Sequence, residues 1–260
     1  MTAPFISSDK VLHLQCPDSW EKLSQEQLRY TLQLIACGLY SEVEIRTYML
    51  FRFCGIEIRK KRQKGVSCRV RLDNGKWHYF DIQDWQVQDM IRQLDFVNSP
   101  EKMGVRLESI HGLQAVDRQL HGVPFIDYLN IEACYQGFLK QKDKGRVEAM
   151  ARIMYRDENG DMPEDLSLDA AEVTGTLFWY YYIKSTFAAY FPNFFKPANG
   201  EVGDKFNVLE AFNTQLRALT DGDVTKEEIV KQMDCWRCLT ELDAKAREAA
   251  DFKKRYGNKR

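Results

Sequence analysis

The run LFWYYYIKSTFAAYFPNFF at residues 177–195 sets the tightest limit on how this chain folds. Rings at Phe178, Trp179, Tyr180, Tyr181 and Tyr182 point in successive directions around a helix, so one buried stripe cannot cover them all. Something must pack on more than one side: the rest of the chain, a second copy, or another protein. The run approaches the length of a membrane span, but Lys184 sits near its middle, Ser185 and Thr186 follow, and Pro192-Asn193 break it. A span needs about twenty mainly apolar residues, so no membrane segment is expected. Large rings anchor interfaces as well as cores. Trp179, Tyr180, Tyr181, Tyr182, Phe194 and Phe195 are therefore candidate partner-binding residues, with ordinary core packing as the competing explanation.

A core is affordable in size, because 260 residues at 44% hydrophobic content can bury one. The 37 basic and 38 acidic side chains leave a net charge of −1. No global field of the kind that marks dedicated nucleic-acid binders exists, and a charge-driven partner must use a local patch. The opening MTAPFISSDKVLHLQ lacks a basic head, an apolar run and a small-residue cleavage site, and seven scattered cysteines form no framework. A cytoplasmic protein with reduced thiols is expected.

Periodicity predicts a mainly α fold, a multi-helix domain with one inserted β-hairpin near residues 66–82. After a short extended lead-in, Ser24 and Gln27 stand at capping-box spacing before a helix whose face is Leu28, Leu32, Ile35 and Leu39. Ser41 and Glu44 open a second helix carrying Ile45, Tyr48, Met49 and Phe53. The period then changes to two: Val66, Cys68, Val70 and Leu72 face one way and Arg69 and Arg71 the other. Asp73-Asn74-Gly75 supplies a turn, and Trp77 and Tyr79 lie on the return strand. Later helices are marked by Pro124 to Phe138, by Val147, Met150, Ile153 and Met154, by the aromatic run, and by Phe206, Leu209, Phe212 and Leu216. Thr225 with Glu228 predicts another capping box at the start of a last helix from about Glu227 to Tyr256. The polar run at residues 157–165 is the best boundary, dividing an α+β front part, 1–156, from an all-helical back part, 157–260, unless the two form one domain.

The clearest local charge signal is Arg59, Lys60, Lys61, Arg62 and Lys64, continuing with Arg69 and Arg71. With Trp77 and Tyr79 as stacking surface, these residues form a candidate nucleic-acid patch, against the alternative of a solvated connector guarding a sheet edge. Cys235 and Cys238 form a CxxC, but about ten residues inside the expected last helix, where no helix dipole activates a thiol. No second CxxC exists, and His13, His78, His111 and His121 are dispersed, so zinc is not expected. Asp221-Gly222-Asp223 opens like a calcium loop, but the required glycine falls on Lys226 and the bidentate acid on Gln232. No nucleophile elbow or phosphate loop occurs. An enzyme is not expected, and no cofactor is assigned.

The segments CPDSWEKLSQEQLRYTLQLIA, VPFIDYLNIEACYQGFLKQKD, ARIMYR, the aromatic run ending in FPNFF, and a charged C-terminal helix together resemble uncharacterised proteins encoded by prophages and mobile elements of gut Bacteroidales. That resemblance implies a noncatalytic structural or assembly role, such as a tail-assembly accessory or chaperone. It implies a protein partner, for instance a virion or tail component or a second copy of the chain. It transfers no active-site residue. The alternative from the residues is a nucleic-acid-associated accessory factor using the basic region 59–71.

Overall fold

The computed structural model describes residues 3–7, 10–195 and 208–256, which form a mainly α-helical chain with small antiparallel sheets. They divide into two compact units. One comprises Met1–Leu107 with Asp169–Gly175, and the other Glu108–Leu168 with Thr176–Arg260. The polar run at 157–165 lies inside the second unit.

The first unit opens with an antiparallel hairpin of β1 (Ala3–Ser7) and β2 (Lys10–Leu14). Two helices follow, α1 (Gln25–Ala36) and α2 (Glu42–Phe53), and both expected capping boxes are present. Ser24 Oγ accepts from the Gln27 amide while Gln27 Oε1 accepts from the Ser24 amide, and Ser41 and Glu44 do the same. Each box satisfies two amides that a helix start otherwise leaves bare. Leu28, Leu32, Met49 and Leu50 are buried. Leu39, expected on the α1 face, is 82% exposed, because the helix stops at Ala36 and Gly38 turns the chain at φ +63.

A three-stranded antiparallel sheet comes next: β3 (Ile56–Arg62), β4 (Gly65–Arg71) and β5 (Trp77–Gln83), in the order β3-β4-β5. The expected hairpin is its β4–β5 half, with Gly75 at φ +78 and its amide donating to Leu72 O. The basic stretch read as a connector is itself strand β3, bulged between Ile58 and Lys60. A third strand gives the hairpin the pairing it needs for stability. Cys68, Val70 and Ile82 are buried on one face. The helix α3 (Asp84–Met90) and a long 3-10 segment, Ile91–Asn98, follow; Leu94 is buried and Phe96 packs edge-on against Trp20 at 5.3 Å.

The second unit holds a small sheet of β6 (Ser109–Ile110), β7 (Leu113–Ala115) and, after two helices, β8 (Tyr155–Arg156). Those helices are α4 (Phe125–Gln141) and α5 (Lys144–Met154). The expected α5 face, Val147, Met150, Ile153 and Met154, is buried throughout. The turn at Asp157 to Asp161 is held by the Asp157 carboxylate, which accepts from the amides of Asn159 and Asp161.

The aromatic run lies on α6 (Ala170–Tyr190), whose first residues belong to the first unit and the rest to the second. Asp169 and Glu172 cap its start reciprocally, and Arg29 of α1 neutralises the nearly buried Glu172 at 3.0 Å. Then come α7 (Val208–Thr220), α8 (Glu227–Gln232) and α9 (Cys235–Tyr256). Phe206, expected to begin the α7 face, lies outside the described residues. The last helix is broken where one was expected: Met233 and Asp234 interrupt it, and the Asp234 carboxylate restarts it by accepting from the Arg237 amide. Thr225 caps nothing with Glu228; Asp223 instead accepts from the Thr225 amide and opens a short 3-10 turn.

Candidate functional site

Strand alternation gives the β3-β4-β5 sheet one face turned away from Cys68, Val70 and Ile82. In β4 that face carries Ser67, Arg69 and Arg71, and the register sets them opposite Asp81, Tyr79 and Trp77 of β5. On the other side Glu57 pairs with Arg69 and Lys60 with Ser67, while Arg62 lies opposite Gly65. The bulge turns Arg59 towards this face as well, and its guanidinium lies 5.5 Å from the Tyr79 ring. Arg69 is closer to Trp77, at 4.1 Å from the ring centre. Guanidinium over an aromatic face is an electrostatic attraction to the ring quadrupole.

Five cations, Arg59, Lys60, Arg62, Arg69 and Arg71, thus share a face with two carboxylates, Glu57 and Asp81. Glu57 Oε2 accepts from Arg69 at 2.6 and 2.8 Å, a hydrogen bond that raises the guanidinium's pKa above its ordinary value. Asp81 lies 3.2 Å from Arg62. Among the described residues, Arg59, Lys60 and Arg71 form no ion pair, and neither do Lys61, which faces the other way on β3, or Lys64 in the turn. All seven basic candidates therefore lie on one sheet and its turn, five of them on one face. The sequence missed Glu57 and Asp81 as partners, because only strand pairing brings them beside Arg69 and Arg62.

The aromatic candidates fare differently. Trp179 and Tyr180 are completely buried, which corrects their reading as partner-binding residues. Trp179 packs edge-on against Tyr155 at 5.8 Å, and its indole N–H donates to Arg118 O at 2.8 Å. Tyr180 donates to Glu132 of α4 at 2.5 Å, and the Lys184 ammonium binds the same carboxylate at 2.7 and 2.9 Å. Lys184, which argued against a membrane span, is thereby matched by Glu132. Farther along, Phe187 meets Tyr128 of α4 and Trp236 of α9, at 5.6 and 5.4 Å. The chain itself supplies the neighbours that the run demanded.

Only part of the run reaches solvent. Tyr181 is 43% exposed, and Tyr182 is half-buried, its hydroxyl accepting from Gln119. Phe194 and Phe195 are half-buried, stacked edge-on at 4.8 Å. Asp243 of α9 fixes their loop by accepting from the Asn193 and Phe194 amides and the Asn193 side chain. Between Tyr181 and the Phe194-Phe195 pair along the chain, Phe187 and Phe191 are buried.

The cysteine motif stands at the first turn of α9 rather than deep inside a helix, since Asp234 restarts the chain there. Position alone would favour a thiolate, yet burial wins. Desolvation pushes Cys238 up to about 11 and raises Cys235 further, with Asp234 adding to both. Cys238 lines a cleft of about 390 Å³ with Leu219, Met233, Arg237 and Glu241, but a thiol held protonated there is a poor nucleophile. A second cleft, of about 300 Å³, is bordered by His121 and by the Asp127–Arg156 pair at 2.7 Å, whose side chains are 11% and 19% exposed. That pair ties α4 to β8 and is satisfied without a ligand. Among the described residues, no three His, Cys, Asp or Glu side chains converge to hold a metal ion.

No described helix is long and apolar enough to cross a membrane. No family model, no curated protein and no solved structure matches the chain.

Proposed function

We propose that this protein is a noncatalytic, nucleic-acid-associated accessory factor, and that it binds its polyanion on the outer face of the β3-β4-β5 sheet. The observation that carries the reading is charge placed beside exposed rings. Five cations meet two acids on one face; Arg59, Lys60 and Arg71 have no acidic partner, and Arg59 lies over Tyr79 while the Glu57-paired Arg69 lies over Trp77. The chain's net charge of −1 makes such a concentration a local feature, suited to phosphate rather than to general counter-ion attraction. Seven unbridged cysteines support a reducing, cytoplasmic setting, and an accessory role of this kind is compatible with the resemblance to prophage-encoded proteins.

The test is binding of a labelled oligonucleotide across a salt series, with Arg59→Gln, Lys60→Gln and Arg71→Gln combined in one variant. Removing three phosphate contacts should flatten the log-affinity against log-salt slope by about 2 to 3. An unchanged slope and affinity in the triple variant would remove the reading.

A second reading keeps the assembly role and a protein partner such as a virion or tail component. Phe194 and Phe195 favour it, being half-exposed rings on a loop that Asp243 already holds in place, so that little ordering would accompany capture. Truncating Tyr181 and Phe194 together should weaken partner capture from the native cells while the chain stays folded.

A further inference from the structure

The sheet face points to a narrower ligand than a generic polyanion: we infer that it takes single-stranded nucleic acid, with successive unstacked bases laid on Trp77 and Tyr79. This inference rests on the polyanion reading above and deepens it.

Three features of the face argue for a single strand. Trp77 and Tyr79 are alternate residues of one edge strand, so they project from the same face about 6.8 Å apart, two residues at ~3.4 Å each. Bases within a duplex strand lie ~3.4 Å apart and cover one another. Two rings at twice that spacing can each meet a base only if the strand is extended and its bases are separated. The face is also too broad for a groove. Three strands at ~4.8 Å spacing put the outer strand axes nearly 10 Å apart before any side chain is added, whereas the major groove, about 12 Å wide, admits a helix or a two-stranded ribbon. Finally, the rings reach solvent even with a guanidinium over one face of each: Trp77 is 37% and Tyr79 54% exposed, and the neighbouring outer-face positions Asp81 and Gln83 of β5 are exposed too.

Charge supplies the other half of the fit. Arg69 sits against Trp77 and is anchored by two hydrogen bonds to Glu57, which holds the ring's cation in place. Arg59 lies against Tyr79, and Arg71 is directly opposite Trp77 across the ladder. A cation beside each ring can meet the phosphate of the nucleotide whose base the ring supports, the pairing of stacking platform and basic track that single strands use. Because every base has a flat face, this arrangement is tolerant of sequence and selective for unpaired strands.

The experiment compares three fluorescein-labelled probes of equal length with the full chain at low salt: a single-stranded oligothymidylate, the same sugar-phosphate strand without bases, and a duplex. The single strand should bind about 30-fold tighter or more than the abasic strand, since each base stacked on a ring is worth about 5- to 150-fold and two rings are engaged. In the Trp77→Leu, Tyr79→Leu double variant, single-strand affinity should fall about 30-fold or more, while abasic-strand affinity stays within about twofold. The wild-type comparison needs no variant and stands even if the double variant folds poorly. Equal affinity for normal and abasic strands, or preference for the duplex, overturns the stacking inference and leaves polyanion binding intact. Failure to bind any of the three overturns both.

Discussion

Alanine at Gly65 is the substitution that the basic sheet should tolerate least. Gly65 has φ +139, a conformation that L side chains rarely adopt, and it pairs with Gln83 at one end of the β4–β5 ladder. A Cβ there would lie 2.1 Å from the Ile82 carbonyl oxygen and 2.9 Å from the Gln83 Cα. Both are backbone atoms of the neighbouring strand, so no side-chain rotation relieves the overlap and the strands must part. Strained backbone of this kind costs about 1 to 3 kcal/mol, and each ladder hydrogen bond lost costs about 1 kcal/mol more. Gly65→Ala should therefore destabilise the sheet by about 3 kcal/mol. Gly75→Ala in the same sheet is the control: at φ +78 it has no heavy atom within 4 Å, so only the conformational penalty of about 1 kcal/mol applies. Urea unfolding of both variants gives the overall loss. Amide hydrogen exchange assigns it, with β4 and β5 amides exchanging roughly a hundredfold faster in Gly65→Ala. If the two variants agree within about 0.5 kcal/mol, the backbone-contact argument is refuted.

Three further outcomes follow from the packing. Trp179→Ala should cost about 4 kcal/mol, because it empties a fully buried site and leaves Arg118 O without its donor, whereas Tyr181→Ala should cost under about 1 kcal/mol; equal losses in thermal unfolding would contradict the assignment of one ring to core and the other to surface. Burial, with the Glu132 charge adding to it, holds the Tyr128 and Tyr180 hydroxyls well above the ordinary value of 10.0. The unfolded chain releases those protons near pH 10 while the folded chain keeps them, so stability is unaffected below about pH 10 and falls as the pH rises towards the raised folded values; a melting temperature that holds constant from roughly pH 9 to 12 would sink this linkage. In the first unit the Cys16 and Cys54 thiols share a hydrogen bond, which lowers Cys54 and raises Cys16, and Cys54 Sγ also donates to Gln15 O at 3.7 Å. Treatment with a small-molecule disulfide should link Cys16 to Cys54, releasing two equivalents of reduced thiol, while the buried Cys68, Cys235 and Cys238 stay free; a peptide mass map showing adducts at the exposed Cys37 and no 16–54 cross-link would rule this out.

Local chemistry was legible at most positions where its partners lie close in sequence. The capping boxes at Ser24 and Ser41, the α5 face and the turn at Gly75 all depend on residues within a few positions of one another, so their spacing points to them; the same spacing at Thr225 and Glu228 failed because Asp223 caps that turn instead. The start of α9 was not legible, because helical periodicity runs on through Met233 and Asp234. What breaks the chain there is long-range: the Phe125 amide donates to Met233 O, the Gly122 amide to Asp234, and the Cys235 amide to Val123 O.

The candidate site divides in the same way. The sequence by itself determined the class of the fold, the demand of the aromatic run for neighbours on several sides, and the clustering of basic residues before and within the hairpin. Tertiary structure alone decided which rings are spent inside and which cations are answered. Trp179 and Tyr180 are interior because Tyr155, Arg118 and Glu132 meet them from 24 to 61 residues away. Arg69 and Arg62 are paired, and Arg59, Lys60 and Arg71 are not, because β3 lies along β4 in one register with one bulge. Periodicity reports which way a side chain points from its own backbone; what it meets there depends on strands and helices brought together by folding, and that information is not local.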